Sequence, residues 1–140
     1  MPADLHTCVE TTDLDAGQVV ARARLIYDTV LKESPYVDRG DFTQINTSDL
    51  PRLFEEYDRR FFDRQIVATL GDAPLRFRLS TRMTRAGGRT ARYTSRNRPG
   101  DSRYEISVST TLLYQCFTGD DHRSITVAGI TCNDRLEALQ

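Results

Sequence analysis

The stretch from Leu75 to Tyr93 leaves the chain least freedom in how it folds. Leu75, Phe77, Leu79 and Thr81 alternate with Arg76, Arg78, Ser80 and Arg82. That is the period of a strand with one buried and one solvated face. Gly87-Gly88 then supplies residues able to take positive φ and reverse the chain at little steric cost. Arg89 to Thr94 reads as the returning strand. The expectation is a β-hairpin, apolar on one side and rich in guanidinium on the other.

Two helices are predicted before it. Asp13 and Asp15 are candidate N-caps for a helix from Ala16 to Lys32, with Val19, Ala23, Ile26 and Val30 on one stripe and Val20, Tyr27 and Leu31 beside it. Ser34-Pro35 ends it, because the residue before proline is pushed out of the helical region. A second helix, capped by Ser48 or Asp49, puts Leu50, Leu53, Phe54, Tyr57, Phe61 and Ile66 on one side. Glu55, Glu56, Asp58, Arg59, Arg60 and Arg64 fall on the other, and Gly71-Asp72-Ala73-Pro74 stops the helix. Spacing of this kind suits core packing rather than a cofactor pocket.

After the hairpin comes a loop at Ser95 to Ser102 containing Pro99-Gly100. A strand at Arg103 to Ser109 follows, with Tyr104, Ile106 and Val108 on one face. A short helix at Leu112 to Phe117, a turn at Gly119 to His122, a strand at Ser124 to Ile130 and a helix starting at Arg135 behind Asn133 or Asp134 complete the pattern. Met1 to Thr12 has no periodicity and reads as a loose lead-in. The sum is one α+β domain over residues 1–140, with two N-terminal helices packed on one face of a small, mostly antiparallel sheet of about four strands.

Composition narrows the chemistry. Apolar residues make up 39% and charged residues 28% of 140, enough for a core without disulfide staples. No run of 18 apolar residues offers a membrane span, and Met1 to Glu10 lacks the pattern of a secretory signal. Cys8, Cys116 and Cys132 are then most simply reduced thiols, and a cytoplasmic location is expected. His6 and His122 stand in no zinc-ligand spacing with these cysteines, and no His-Glu-x-x-His or Cys-x-x-Cys occurs. Cys116 and His122 are six residues apart, but a cysteine beside Leu112, Leu113 and Phe117 reads as a small buried hydrophobe rather than a nucleophile. Glu55-Glu56 reads as part of a solvated helix face. Gly87-Gly88 has no helix after it and is no phosphate cradle. No catalytic or metal-binding residue is assigned.

Charge is the one suggestive feature. The chain carries −1 overall, yet residues 76–103 hold nine arginines and the single acid Asp101, a net +8. Arg76, Arg78, Arg82, Arg89, Arg92 and Arg103 are candidate phosphate-binding residues for nucleic acid. The competing reading is a solvated sheet face neutralised by acidic helices.

The order of segments also resembles a known family. Leu53-Phe54-Glu55-Glu56-Tyr57-Asp58 runs to Phe61-Phe62, then Leu79 to Arg89 carries Ala86-Gly87-Gly88. Tyr104-Glu105-Ile106-Ser107-Val108-Ser109 follows, with Thr111-Leu112-Leu113. Over about residues 50–140 this resembles the SprT-like zinc metallopeptidases, the zincin-like family that includes Spartan. The resemblance implies a scaffold followed by a helix bearing His-Glu-x-x-His, with zinc in the intact member and a protein or peptide as substrate. None of those catalytic residues falls within this chain, so the resemblance implies a truncated, inert N-terminal part with no cofactor of its own. It also implies a strand that accepts extended substrate at a sheet edge. Tyr104, Ile106 and Val108 are the candidates for that edge, with Ser124 to Ile130 competing. A third reading is an interaction domain that docks a partner through its sheet or last helix.

Overall fold

The computed structural model describes residues 13–94, 96–97, 102–117, 124–127 and 130–140. The expected lead-in at Met1 to Thr12, the turn at Gly119 to His122, Pro99-Gly100 and the side chains of His6, Cys8 and His122 lie outside the described residues. The elements are α1 (Ala16–Glu33), α2 (Asp49–Phe61), α3 (Gln65–Leu70), β1 (Leu75–Ser80), β2 (Gly88–Thr94), β3 (Ser102–Ser109), α4 (Thr110–Gln115), β4 (Ile125–Val127), β5 (Ile130–Cys132) and α5 (Arg135–Leu139). The architecture is α+β. No helix among the described residues is long and apolar enough to cross a membrane.

Local chemistry sets most boundaries. Asp15 caps α1 by accepting from the Gln18 N–H at 2.8 Å, while the Gln18 side chain accepts from the Asp15 N–H at 3.0 Å. Ser34 ends α1 in an extended conformation. Only the second half of the α1 stripe is covered: Ile26, Tyr27 and Val30 are buried, whereas Val19 and Val20 are exposed.

The predicted second helix is broken in two. Asp63 and Arg64 both adopt left-handed backbone angles, and the chain restarts as α3. Asp58 bridges the break. Its carboxylate accepts from Ile66 N–H at 2.9 Å and Val67 N–H at 3.1 Å, satisfying two donors that a helix start leaves unpaired. Asp58 is therefore fully buried, not on the solvated side assigned from spacing. Glu56 is buried as well, held by Arg59 at 2.7 Å and Arg60 at 2.8 Å. Asp49 does not cap α2 either. It is buried, accepting from the Ser34 hydroxyl and from Asn46 N–H at 2.9 Å.

The central hairpin is not formed. The sheet order is β1-β3-β2, with β1 parallel and β2 antiparallel to β3. The Thr81–Gly87 segment therefore steps across β3, about two strand spacings or roughly 9.6 Å. A tight two-residue turn links only adjacent strands, and neither Gly87 nor Gly88 takes a positive φ. Strand chemistry explains the insertion. β3 carries Tyr104, Ile106 and Val108, whereas β2 is exposed at every position but Ala91. The polar strand takes the edge and the apolar one the middle.

β3 is thus hydrogen-bonded on both sides, and Tyr104, Ile106 and Val108 cannot serve as a substrate-accepting edge. The single strand expected at Ser124 to Ile130 is also corrected. β4 and β5 pair antiparallel, with Val127 opposite Ile130, as a separate two-stranded sheet. Gly129 inside the run was the signal for an interruption.

The core lies among the helices. Ile26, Tyr27, Val30, Val37, Phe42, Leu53, Leu113 and Leu136 form one cluster, and Phe54 packs edge-to-face on Phe77 of β1, rings 5.7 Å apart. Asp134 caps α5 through Glu137 N–H at 2.8 Å and accepts the Tyr27 hydroxyl. Burial, then that hydrogen bond, pushes the Tyr27 hydroxyl well above its ordinary pKa. Gly40 sits against this pair, where a Cβ would overlap both the Asp134 carboxylate and the Tyr27 hydroxyl. The Arg135 guanidinium is buried and donates to the carbonyls of Phe42 (3.0 Å), Cys116 (3.0 Å) and Tyr114 (3.3 Å).

Two outcomes are expected. Asp58→Ala leaves two backbone donors at the start of α3 without their acceptor and lowers the unfolding free energy by about 1–3 kcal/mol in urea titrations. The second concerns acid. Burial raises the Glu56 pKa, but hydrogen bonds from Arg60 and Arg59 outweigh it, leaving a net shift below the ordinary 4.5. The unfolded chain then binds this proton more tightly than the folded one, so the stabilisation is present above pH 4.5 and fades as pH falls below it. Thermal melts at descending pH are expected to show Glu56→Gln losing part of the wild-type acid sensitivity.

Candidate nucleic-acid interface

The site follows from strand parity. Side chains alternate across a sheet, so residues paired in register share a face. β1 and β3 pair Leu75 with Tyr104, Phe77 with Ile106 and Leu79 with Val108. That face turns toward α2 through Phe54 and Phe77. The opposite face carries Arg76 beside Glu105 and Arg78 beside Ser107. From β2 it gains Arg89 beside Ser107, Ala91 beside Glu105 and Tyr93 beside Arg103.

Four of the six candidate arginines are therefore brought together: Arg76, Arg78, Arg89 and Arg103. All four are exposed. The other two are placed elsewhere. Arg92 has the opposite parity and donates through Nε and a terminal nitrogen to the Ser102 hydroxyl at 3.2 and 3.1 Å. Arg82 lies beyond the end of β1, where its backbone N–H donates to the Ser80 hydroxyl at 3.2 Å.

Neutralisation by the acidic helices, the competing expectation, is not what the described residues form. Glu56 is taken by Arg59 and Arg60, and Asp28 by Arg24. Asp49 and Asp58 are buried within the helical layer. Among the described residues, no carboxylate oxygen comes within 4.0 Å of a nitrogen of Arg76, Arg78, Arg89 or Arg103. Among the described residues Glu105 is the one acid on the face, and its Oε1 accepts the Ser107 hydroxyl at 3.3 Å.

Spacing alone did not single out Tyr93. The residue is 40% exposed, and the Arg103 guanidinium carbon stands 5.1 Å from the ring centre. The signal was available, since Tyr93 shares parity with Arg89 where Arg92 does not. Tyr93 also borders two clefts. A small one of about 220 Å³ is lined by Arg76, Arg78, Tyr93, Arg103, Tyr104 and Glu105. A wider one of about 940 Å³ lies at the end of the sheet, between Leu70, Pro74, Arg92, Tyr93, Ser102 and Arg103.

Other chemistry is thinly represented. Among the described residues, no three His, Cys, Asp or Glu side chains form a group able to hold a metal ion. Cys132 is buried, and desolvation pushes its thiol pKa up. The Cys116 thiol donates to the Leu112 carbonyl at 3.3 Å.

Comparison with known proteins adds no relative to this geometry. No family model matches the chain, and neither a curated protein nor a solved structure matches it.

Proposed function

We propose that this chain is a nucleic-acid-binding module whose open sheet face takes the sugar–phosphate backbone. One observation carries the reading: Arg76, Arg78, Arg89 and Arg103 are exposed on one face of the sheet with no carboxylate oxygen within 4.0 Å among the described residues. Guanidinium groups fixed on adjacent strands match the fork geometry of phosphate oxygens, and among the described residues these arginines hold no carboxylate that a phosphate would have to displace, while Arg103 stands over the Tyr93 ring. Each phosphate neutralised releases condensed counterions, so affinity falls with salt. Fluorescence anisotropy of labelled oligonucleotides across a salt series tests this. For three single-strand phosphates at roughly 0.7 each, the slope of log affinity against log salt is expected near −2. Arg76→Ala with Arg78→Ala lowers both the affinity and the steepness, while Lys32→Ala on α1 changes neither. Absence of binding at low salt overturns the reading.

A second reading rests on the sequence resemblance alone. From residue 49 the chain runs helix, short helix, three strands, short helix, two short strands and a last helix, with the strand order β1-β3-β2 in place of the hairpin the resemblance implies. On this reading the chain is the front of a SprT-like zinc metalloendopeptidase, and α5, anchored by the fully buried Leu136, leads into the metal-binding helix. The two readings are compatible, because a peptidase acting beside DNA could hold itself there by the arginine face. The coding sequence past codon 140 is expected to encode His-Glu-x-x-His within about 15 residues, and a stop codon there would remove the reading. These 140 residues alone are expected to give no tight one-to-one zinc titration by calorimetry.

A further inference from the structure

The arginine face does not by itself distinguish a duplex from a single strand, but the aromatic residue and the two clefts do. We infer that the nucleic acid is single-stranded: a backbone phosphate sits in the small cleft between Arg76, Arg78 and Arg103, and an unpaired base enters the wider cleft and stacks on Tyr93. The inference rests on the proposed nucleic-acid function and goes one step further, to the form of the polymer.

Three observations lead to it. The first is size. Sites for small organic molecules span roughly 300–1,000 Å³. The small cleft, about 220 Å³, falls below that range and suits a phosphate; the wider one, about 940 Å³, has room for a nucleoside. The second is continuity. Tyr93, Arg103 and Tyr104 line both clefts, so phosphate and base sites adjoin as they do along one strand.

The third is the character of the walls. Arg103 stands over the Tyr93 ring at 5.1 Å, and Tyr93 remains 40% exposed as a residue, which leaves it accessible to a base. Leu70 and Pro74 add apolar wall to the wider cleft, with Asp72 and Ser102 as polar groups for a base edge. An aromatic platform within a basic groove is the arrangement that binds unpaired nucleotides with little sequence preference. A duplex cannot use it. Its bases are paired and stacked, with edges at the floor of a groove roughly 8.5 Å deep, reached by a projecting helix or ribbon. Here the ring lies on the sheet among the arginines, where only an extruded or unpaired base can meet it.

The experiment is anisotropy with a fluorescein-labelled oligo-dT of about 12 nucleotides and a duplex of equal length. Wild-type protein is expected to bind the single strand more tightly than the duplex. Tyr93→Ala is expected to weaken single-strand binding on the order of tenfold and leave the salt slope unchanged, because stacking releases no counterions. Tyr93→Phe retains the affinity, and Tyr93→Leu, apolar but without a π-face, does not. Far-ultraviolet circular dichroism of each variant checks that the fold is intact. Equal or tighter duplex binding overturns the inference, as does a Tyr93→Ala variant that binds like wild type while the Arg76→Ala, Arg78→Ala protein is weakened; the phosphate reading survives both results. No binding of either oligonucleotide overturns the two together.

Discussion

The register between β1 and β3 is the constraint on which the rest depends. With Phe77 opposite Ile106, the rows Leu75–Tyr104, Phe77–Ile106 and Leu79–Val108 face one way, and Arg76 and Arg78 face the other. A slip of one residue would send the guanidinium groups toward Phe54 and expose the apolar row. Burying unpaired arginine against an aromatic ring is far costlier than leaving it in water, so the pairing has one workable alignment. The same choice that completes the hydrophobic contact gathers the charge.

The helical layer supplies the rigidity behind that sheet, largely through polar groups that are buried and satisfied. Asp58 joins α2 to α3, Asp49 ties the end of α1 to the start of α2, and Arg135 draws the carbonyls of Phe42, Tyr114 and Cys116 around the last helix. Among the described residues, no buried side-chain polar atom lacks a partner. Satisfied networks of this kind fix one arrangement of segments, because any other would strand a charge away from water. The carboxylates engaged there are also withheld from the arginines of the sheet. The sheet therefore keeps its positive face although the chain as a whole is nearly neutral.

Where periodicity sufficed, the sequence was a reliable guide. Asp15 and Ser34 bound α1, the alternation at Leu75–Ser80 and Tyr104–Ser109 marked β1 and β3, and Asp134 opened α5. It misled where two segments compete for one neighbour. Gly87-Gly88 has the composition of a tight turn, yet β1 pairs with β3, whose apolar row gives it more to bury than β2 can offer. It also misled where a polar side chain serves a distant backbone. Asp58 has the spacing of a solvated residue, and only the break at Asp63-Arg64 brings the N–H groups of α3 within its reach. The arginine cluster was half legible: its charge can be counted, but the parity that removes Arg92 and adds Tyr93 follows only from the register of β1 and β2 on β3.

By itself the sequence determined the α+β class, the strand faces and the excess of arginine between residues 76 and 103, because these depend on local period and composition. The tertiary structure alone decided the strand order, the loss of β3 as an edge and the assembly of Arg76, Arg78, Arg89, Arg103 and Tyr93 on one face. Those depend on which distant segments pair, and pairing is settled by comparing whole buried surfaces, a quantity that no local window of residues contains.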